Sequence, residues 1–159
     1  RLPEHLGNFT CEMARPLAAE AMNNPLHLMA LSSACSVCAT VLPEREPHAS
    51  IYDGLLVLLE NLNVEDWLSL YVKWEMGLLG ELGFGLDLSE CAATGASDDL
   101  IYISPKSGRA VSSSAGKPYK DRLLTLPPFL LESGRAATSN TEIQEGLQVT
   151  GVLDRKSVV

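Results

Sequence analysis

Apolar residues recur three or four positions apart through most of the first half of the chain, which is the spacing of helices with one buried side. Leu17 to Met22 reads as a short helical turn. Asn24 reads as a cap and Pro25 as the first position of a longer helix that runs to about Leu42, with Leu28, Leu31, Cys35, Cys38 and Leu42 on one stripe. Leu42-Pro43 ends it, because the residue before proline avoids the helical region. A further helix is expected from about Ala49 to Leu62, with leucines at 55, 56, 58, 59 and 62, too many for a narrow stripe and so buried on most sides. Asn63 is expected to cap the next helix, whose seam is Trp67, Tyr71, Trp74, Leu78 and Leu82, with Gly83 as its terminal glycine. Both tryptophans read as core anchors.

The period then changes. Leu100 to Ser104 and Arg109 to Ser112 read as two short strands joined by the turn Ser104-Pro105-Lys106-Ser107-Gly108, followed by a loop through Gly116. Helical segments are expected again near Pro127 to Glu132 and from about Asn140 to Leu153, the latter with Ile143, Leu147 and Val152/Leu153 on one face. At the other end, Asn8 to Met13 reads as a strand. A single strand leaves its backbone groups unpaired, so it needs a partner that lies outside this chain.

Composition narrows the classes. The chain has 159 residues, 46% apolar and 20% charged, which is ordinary for one globular domain. Twelve basic against twenty acidic side chains give −8, which excludes a protein that coats duplex DNA by positive charge. That charge is uneven. Residues 1–100 carry −11, whereas 101–159 carry +3, and within the latter Lys106, Arg109, Lys117, Lys120 and Arg122 meet only Asp121. This is the stretch where an anionic partner would be welcome, although charged runs are as often solvated loops. The longest apolar run, Leu28 to Leu42, is too short for a membrane span and is broken by serines. Four cysteines are few for a disulfide scaffold, so an intracellular, reducing compartment is expected. A chain that opens on Arg1 suggests a start inside a longer protein, and the abrupt apolar end at Val159 suggests a truncated C-terminus.

Catalytic motifs are missing from the sequence. Cys35-Ser36-Val37-Cys38 is a lone CxxC, without the second pair that zinc needs and well inside a helix, away from the N-terminal position that activates a redox thiol. Packing of both cysteines in the helix interface is the expectation, and a thiol or metal enzyme built on them is the remote alternative. Gly80 to Gly85 follows a helix and lacks the Lys-Ser/Thr ending of a phosphate loop. No enzyme activity, cofactor or metal is expected.

The segment Trp74 to Cys91, containing Leu78-Leu79-Gly80-Glu81-Leu82-Gly83-Phe84-Gly85 and Cys91, resembles the bacterial recombination mediator family RecO. The similarity continues through Thr94-Gly95, Tyr102-Ile103-Ser104-Pro105, Gly108-Arg109-Ala110-Val111-Ser112 and Asp121-Arg122-Leu123-Leu124, with Leu42 to His48 and Tyr52 upstream. The resemblance implies a mainly α fold: a helical bundle over 17–159, a small zinc-finger-like hairpin insert at about 87–119, and residues 1–16 as the last strand of an OB-fold. The insert departs from the family's zinc pattern. Cys91 stands at the first ligand position, with Thr94, Val111 and Ser114 at the other three, so zinc is not expected and the hairpin must hold by packing of Leu100, Ile101, Ile103 and Val111.

The function implied is DNA repair and homologous recombination in the bacterial cytoplasm, at the nucleoid, with single-stranded DNA-binding protein, RecR and DNA as partners and RecA as the protein loaded. An acidic chain without its OB-fold is expected to act as a docking scaffold for the apolar, acidic tail of single-stranded DNA-binding protein. Arg45, Lys73 and the 106–122 cations (Lys106, Arg109, Lys117, Lys120, Arg122) are the candidates to meet the tail carboxylate. Direct nucleic-acid binding through 106–122 is the alternative.

Overall fold

The computed structural model describes residues 10–13, 15–132 and 134–157, with side chains described as far as Val152. Of the strand expected at Asn8 to Met13, the first two residues lie outside the described ones, and Thr10 to Met13 are exposed and belong to no helix or strand.

Helices dominate: α1 Leu17–Ala21, α2 Pro25–Val41, α3 Ala49–Glu60, α4 Trp67–Glu81 and, near the C-terminus, α6 Asn140–Ser157. Asn24 caps α2 as expected, its side-chain oxygen accepting from the Leu26 N–H at 2.9 Å, and Leu42 leaves the helix in an extended conformation. The α4 helix starts later than Asn63. Residues 61–66 form turns in which the Trp67 N–H donates to the Val64 carbonyl, and Asp66 stands at the helix entry without a side-chain cap. Gly83 ends the α4 region with φ +84°, a conformation glycine reaches without a Cβ penalty. The start of α6 is fixed by a capping box: the Ser139 hydroxyl accepts from the Glu142 N–H, and the Glu142 carboxylate accepts from the Thr138 N–H and hydroxyl.

α4 is the central rod, packed against α3 on one side and α6 on the other. Trp67, Tyr71, Trp74 and Leu78 are all buried, as the seam predicts, and Leu82 is half-buried. The Trp74 indole donates to the Ile51 carbonyl at 3.3 Å, and Gly54 lets α3 come this close, since a Cβ there would stand 3.2 Å from the Trp74 ring. The same two helices are joined at their ends, where His48 and Ser50 both reach the Glu81 carboxylate. α3 is not buried on most sides. Ile51, Leu58 and Leu59 face inward, while Tyr52 and Val57 are exposed.

On α2 the buried face is turned from the expected stripe. His27 and Ala34 are the buried positions, with Ala30, Leu31, Val37, Cys38, Val41 and Leu42 partly buried beside them, whereas Leu28 and Cys35 face outward. The expectation that both cysteines are packed inside is therefore corrected for Cys35. Apolar residues stand on both sides of this helix (Leu26, Leu28 and Met29 are exposed), so its spacing fits two registers. The one adopted puts the small Ala34, fully buried, on the inner side.

The insert is a three-stranded antiparallel sheet in the order β2-β1-β3, from β1 Leu100–Ile103, β2 Ala110–Ser112 and β3 Leu124–Thr125. The β1–β2 hairpin was expected; β3 was not, since two residues carry no period. The segment after β2 is not a loop. It forms the single turn α5 Ser113–Gly116 and then a 3₁₀ helix, Lys117–Arg122. Nor is the insert an isolated hairpin. Leu100, Ile103, Ala110 and Val111 share a core with Leu79 of α4, Leu126 and Val149 of α6. Ile101 lies next to a bulge in the β1–β2 register and is exposed, contrary to its expected packing role. A second 3₁₀ turn, Pro128–Leu130, drives Phe129, fully buried, between Val72 and Ile143. In α6 the buried positions are Ile143, Gly146, Val149 and Thr150, and Leu147 is partly exposed instead of buried. No helix among the described residues is long and apolar enough to cross a membrane.

Candidate functional site

The α3–α4 contact leaves a shallow cleft of about 290 Å³ on the outer surface. Its floor is Ile51, Leu58, Leu70 and Trp74, its mouth is opened by Gly54 and Gly77, and Val57 stands exposed at its edge. One cation belongs to it. Lys73 is half-buried, donates to the Arg135 carbonyl at 2.5 Å and lies 5.9 Å from the centre of the Phe129 ring. That contact engages one of its three ammonium protons, so the Lys73 side chain lines the cleft while its charge is held by the Arg135 carbonyl and the Phe129 ring, neither of which lines it.

The other sequence candidates are scattered. Arg45 lies in the α2–α3 linker, exposed, with a left-handed φ of 67°, and does not line the cleft. Lys106 stands in the hairpin turn. Arg109 is tied down, its guanidinium donating to Asp87 at 3.2 Å and to Glu90 at 2.9 Å. Only Lys117, Lys120 and Arg122 share one element, the 3₁₀ helix, whose three-residue turn puts 117 and 120 on one side and 119 and 122 on the next. Tyr119, which sequence reasoning passed over, is 60% exposed there, beside Pro118, Asp121 and Arg122 around an open hollow. Its exposure depends on the 3₁₀ turn, which the sequence pattern did not signal.

At the expected zinc-like corner, Cys91 is buried. Its thiol contacts the Ser112 hydroxyl at 3.4 Å and accepts from the Ser112 N–H at 3.2 Å, and Ser112 reaches Ser114. Val111 is not at this corner. It pairs with Tyr102 across the sheet and packs in the core, because successive strand residues alternate sides, so Ser112 takes the position assigned to Val111. The Ser112 hydroxyl, the Thr94 side chain and the Ser112 N–H lower the Cys91 thiol from 9.0 to about 6, against the opposing effect of burial. One thiol among neutral hydroxyls does not fit a four-ligand zinc site. Among the described residues no three His, Cys, Asp or Glu side chains gather to hold a metal ion.

The described residues thus form a mainly helical domain with a small antiparallel sheet insert and an apolar cleft carrying one anchored cation. Residues 22–153 match the family described as "Recombination protein O C terminal", and the chain belongs to that family. It is 53% identical over 158 residues to the "DNA repair protein RecO" of Rhodospirillum centenum, covering 98% of this chain and 62% of that protein. The proteins of the same description from Caulobacter vibrioides and Rhodospirillum rubrum are 49% and 43% identical, over 92% and 95% of this chain and 60% and 62% of theirs. The chain thus spans about three fifths of the length of the curated relatives it matches. No solved structure matches it.

Proposed function

We propose that this chain is the helical, non-enzymatic docking part of a DNA repair and recombination mediator, and that its α3–α4 cleft receives the acidic, apolar-tipped tail of single-stranded DNA-binding protein. The reading draws on the family and on one observation above the others: Lys73 is fixed at the wall of an apolar cleft that opens to solvent. The tail's terminal side chain would occupy the floor of Ile51, Leu58 and Trp74, with its carboxylate toward the Lys73 ammonium. In this reading residues 17–159 form the docking domain, residues 1–16 close an OB-fold that contacts DNA, and RecR and the loading of RecA belong to the whole mediator in the bacterial cytoplasm.

Calorimetric titration of the chain with a peptide of that tail tests it. Lys73→Ala should weaken binding by about tenfold, in the range of a hydrogen bond to a charged group, while Arg45→Ala leaves it unchanged. Equal affinities of wild type and Lys73→Ala remove the cleft from consideration.

A second reading has its own observation. Lys117, Lys120 and Arg122 flank the exposed Tyr119, cations beside a stacking ring, as single-strand binders use them. Affinity for an unstructured oligonucleotide should then fall with salt, and Lys120→Ala should shrink the logarithmic slope by about 0.7, one phosphate's share. A salt-independent signal eliminates this site. Arg109 is left out of it, since Asp87 and Glu90 already hold the guanidinium.

A further inference from the structure

The CxxC that the docking reading leaves unused has a geometry of its own. Cys35 and Cys38 stand one turn apart on α2, both as free thiols, Cys35 exposed and Cys38 half-buried. Three residues of α-helix separate two Cα atoms by about 5 Å, inside the range a disulfide spans. The Cβ atoms of such a pair start about 5–6 Å apart and must close to about 3.8 Å. Bridging therefore bends the turn, and a bent disulfide is readily reduced.

We propose that Cys35 and Cys38 form a reversible dithiol–disulfide couple, oxidised by a low-molecular-weight disulfide and reset by a dithiol. Cys35 is the entry point. Its thiolate attacks one sulfur of the oxidant, forming a mixed disulfide and releasing one small thiolate. Cys38 then loses its proton to solvent and attacks the Cys35 sulfur, forming the intrahelical bond and expelling the second small thiolate. The protein gives up two electrons and two protons, and the oxidant becomes two thiols. Burial, and then the neighbouring Cys35, push the Cys38 thiol up, which leaves the exposed Cys35 as the thiol that meets the oxidant first; Cys38 resolves the mixed disulfide through its proximity on the next turn. Cys91 is buried in the insert, and Cys11 precedes α1. The turn that bends carries Val37, which walls a groove with Leu78, Leu79 and Leu147, and Ala34, which is fully buried against the core. Oxidation thus acts on the packing of α2 itself.

The test uses the whole chain with Cys11→Ser, folded, in excess glutathione disulfide, acid-quenched and read by intact mass with fragmentation to locate each adduct. The expected product is short of two hydrogens, carries no glutathione on α2, and returns to its starting mass with a dithiol. Cys38→Ser should stop at one glutathione on Cys35, and Cys35→Ser should slow adduct formation on α2 by about tenfold or more, a shielded thiol being inert. A stable glutathione on Cys35 with Cys38 present, or no reaction on α2, overturns the proposal. So does equal reactivity of Cys35→Ser.

Discussion

Cys91 shows how one side chain's surroundings decide its chemistry. It is 1% exposed, yet four hydrogen-bonding groups hold its thiol at about 6, led by the Ser112 hydroxyl. Because the folded value is depressed, the ionised thiol stabilises the fold. That contribution is complete above the ordinary 9.0 of the unfolded thiol and is lost as pH falls through about 6. Urea midpoints of wild type and Cys91→Ala should therefore draw apart as pH rises from the lower value to the higher, and Ser112→Ala should flatten that trend. Parallel profiles would mean that the donors do not act on the thiol. Half of this corner was within reach through the family resemblance, which sets Cys91 and Thr94 at paired positions. Ser112 was not, because a strand shifted by one position exchanges Val111 for Ser112 and both fit the spacing.

Elements were legible where one force set them. The α4 seam repeats aromatic and leucine side chains at helical spacing, and its burial follows directly, while Val72 and Leu79 on other sides of the same helix are buried in the neighbouring cores. α2 presents apolar residues on both sides, so spacing leaves its orientation open; in the structure the side that carries Ala34, fully buried, faces inward. The insert was readable as a hairpin through its proline-glycine turn, but β3 and the 3₁₀ helix are too short to leave a period. Within this insert Arg109 serves as a brace. Residue 109 bridges Asp87, the Asp87 N–H donates to the Gly108 carbonyl, and the guanidinium spans Asp87 and Glu90. Arg109→Ala should lower stability by about 1 kcal/mol or less, as exposed ion pairs do, and leave oligonucleotide affinity unchanged. Chemical denaturation beside the oligonucleotide titration checks both. A large loss of affinity with unchanged stability would return Arg109 to the binding surface.

At the scale of the molecule, α4 joins everything: α3 and the cleft on one side, α6 and the sheet insert on the other. The order of helices and the insert were within reach of sequence reasoning because they rest on period and turn chemistry. The cleft was not, since it depends on how closely Gly54 lets α3 approach Trp74, a distance that no pattern encodes. In the sequence its lysine is one cation among several. What separates Lys73 from Arg45 is the Arg135 carbonyl, sixty-two residues along the chain, that holds its ammonium in place. The most direct measurement is calorimetry of the tail peptide against wild type and Val57→Asp, a change at an exposed position on the edge of the cleft. Docking there predicts saturable one-to-one binding that Val57→Asp abolishes while the fold's melting temperature holds. Undiminished binding by a folded Val57→Asp chain contradicts it.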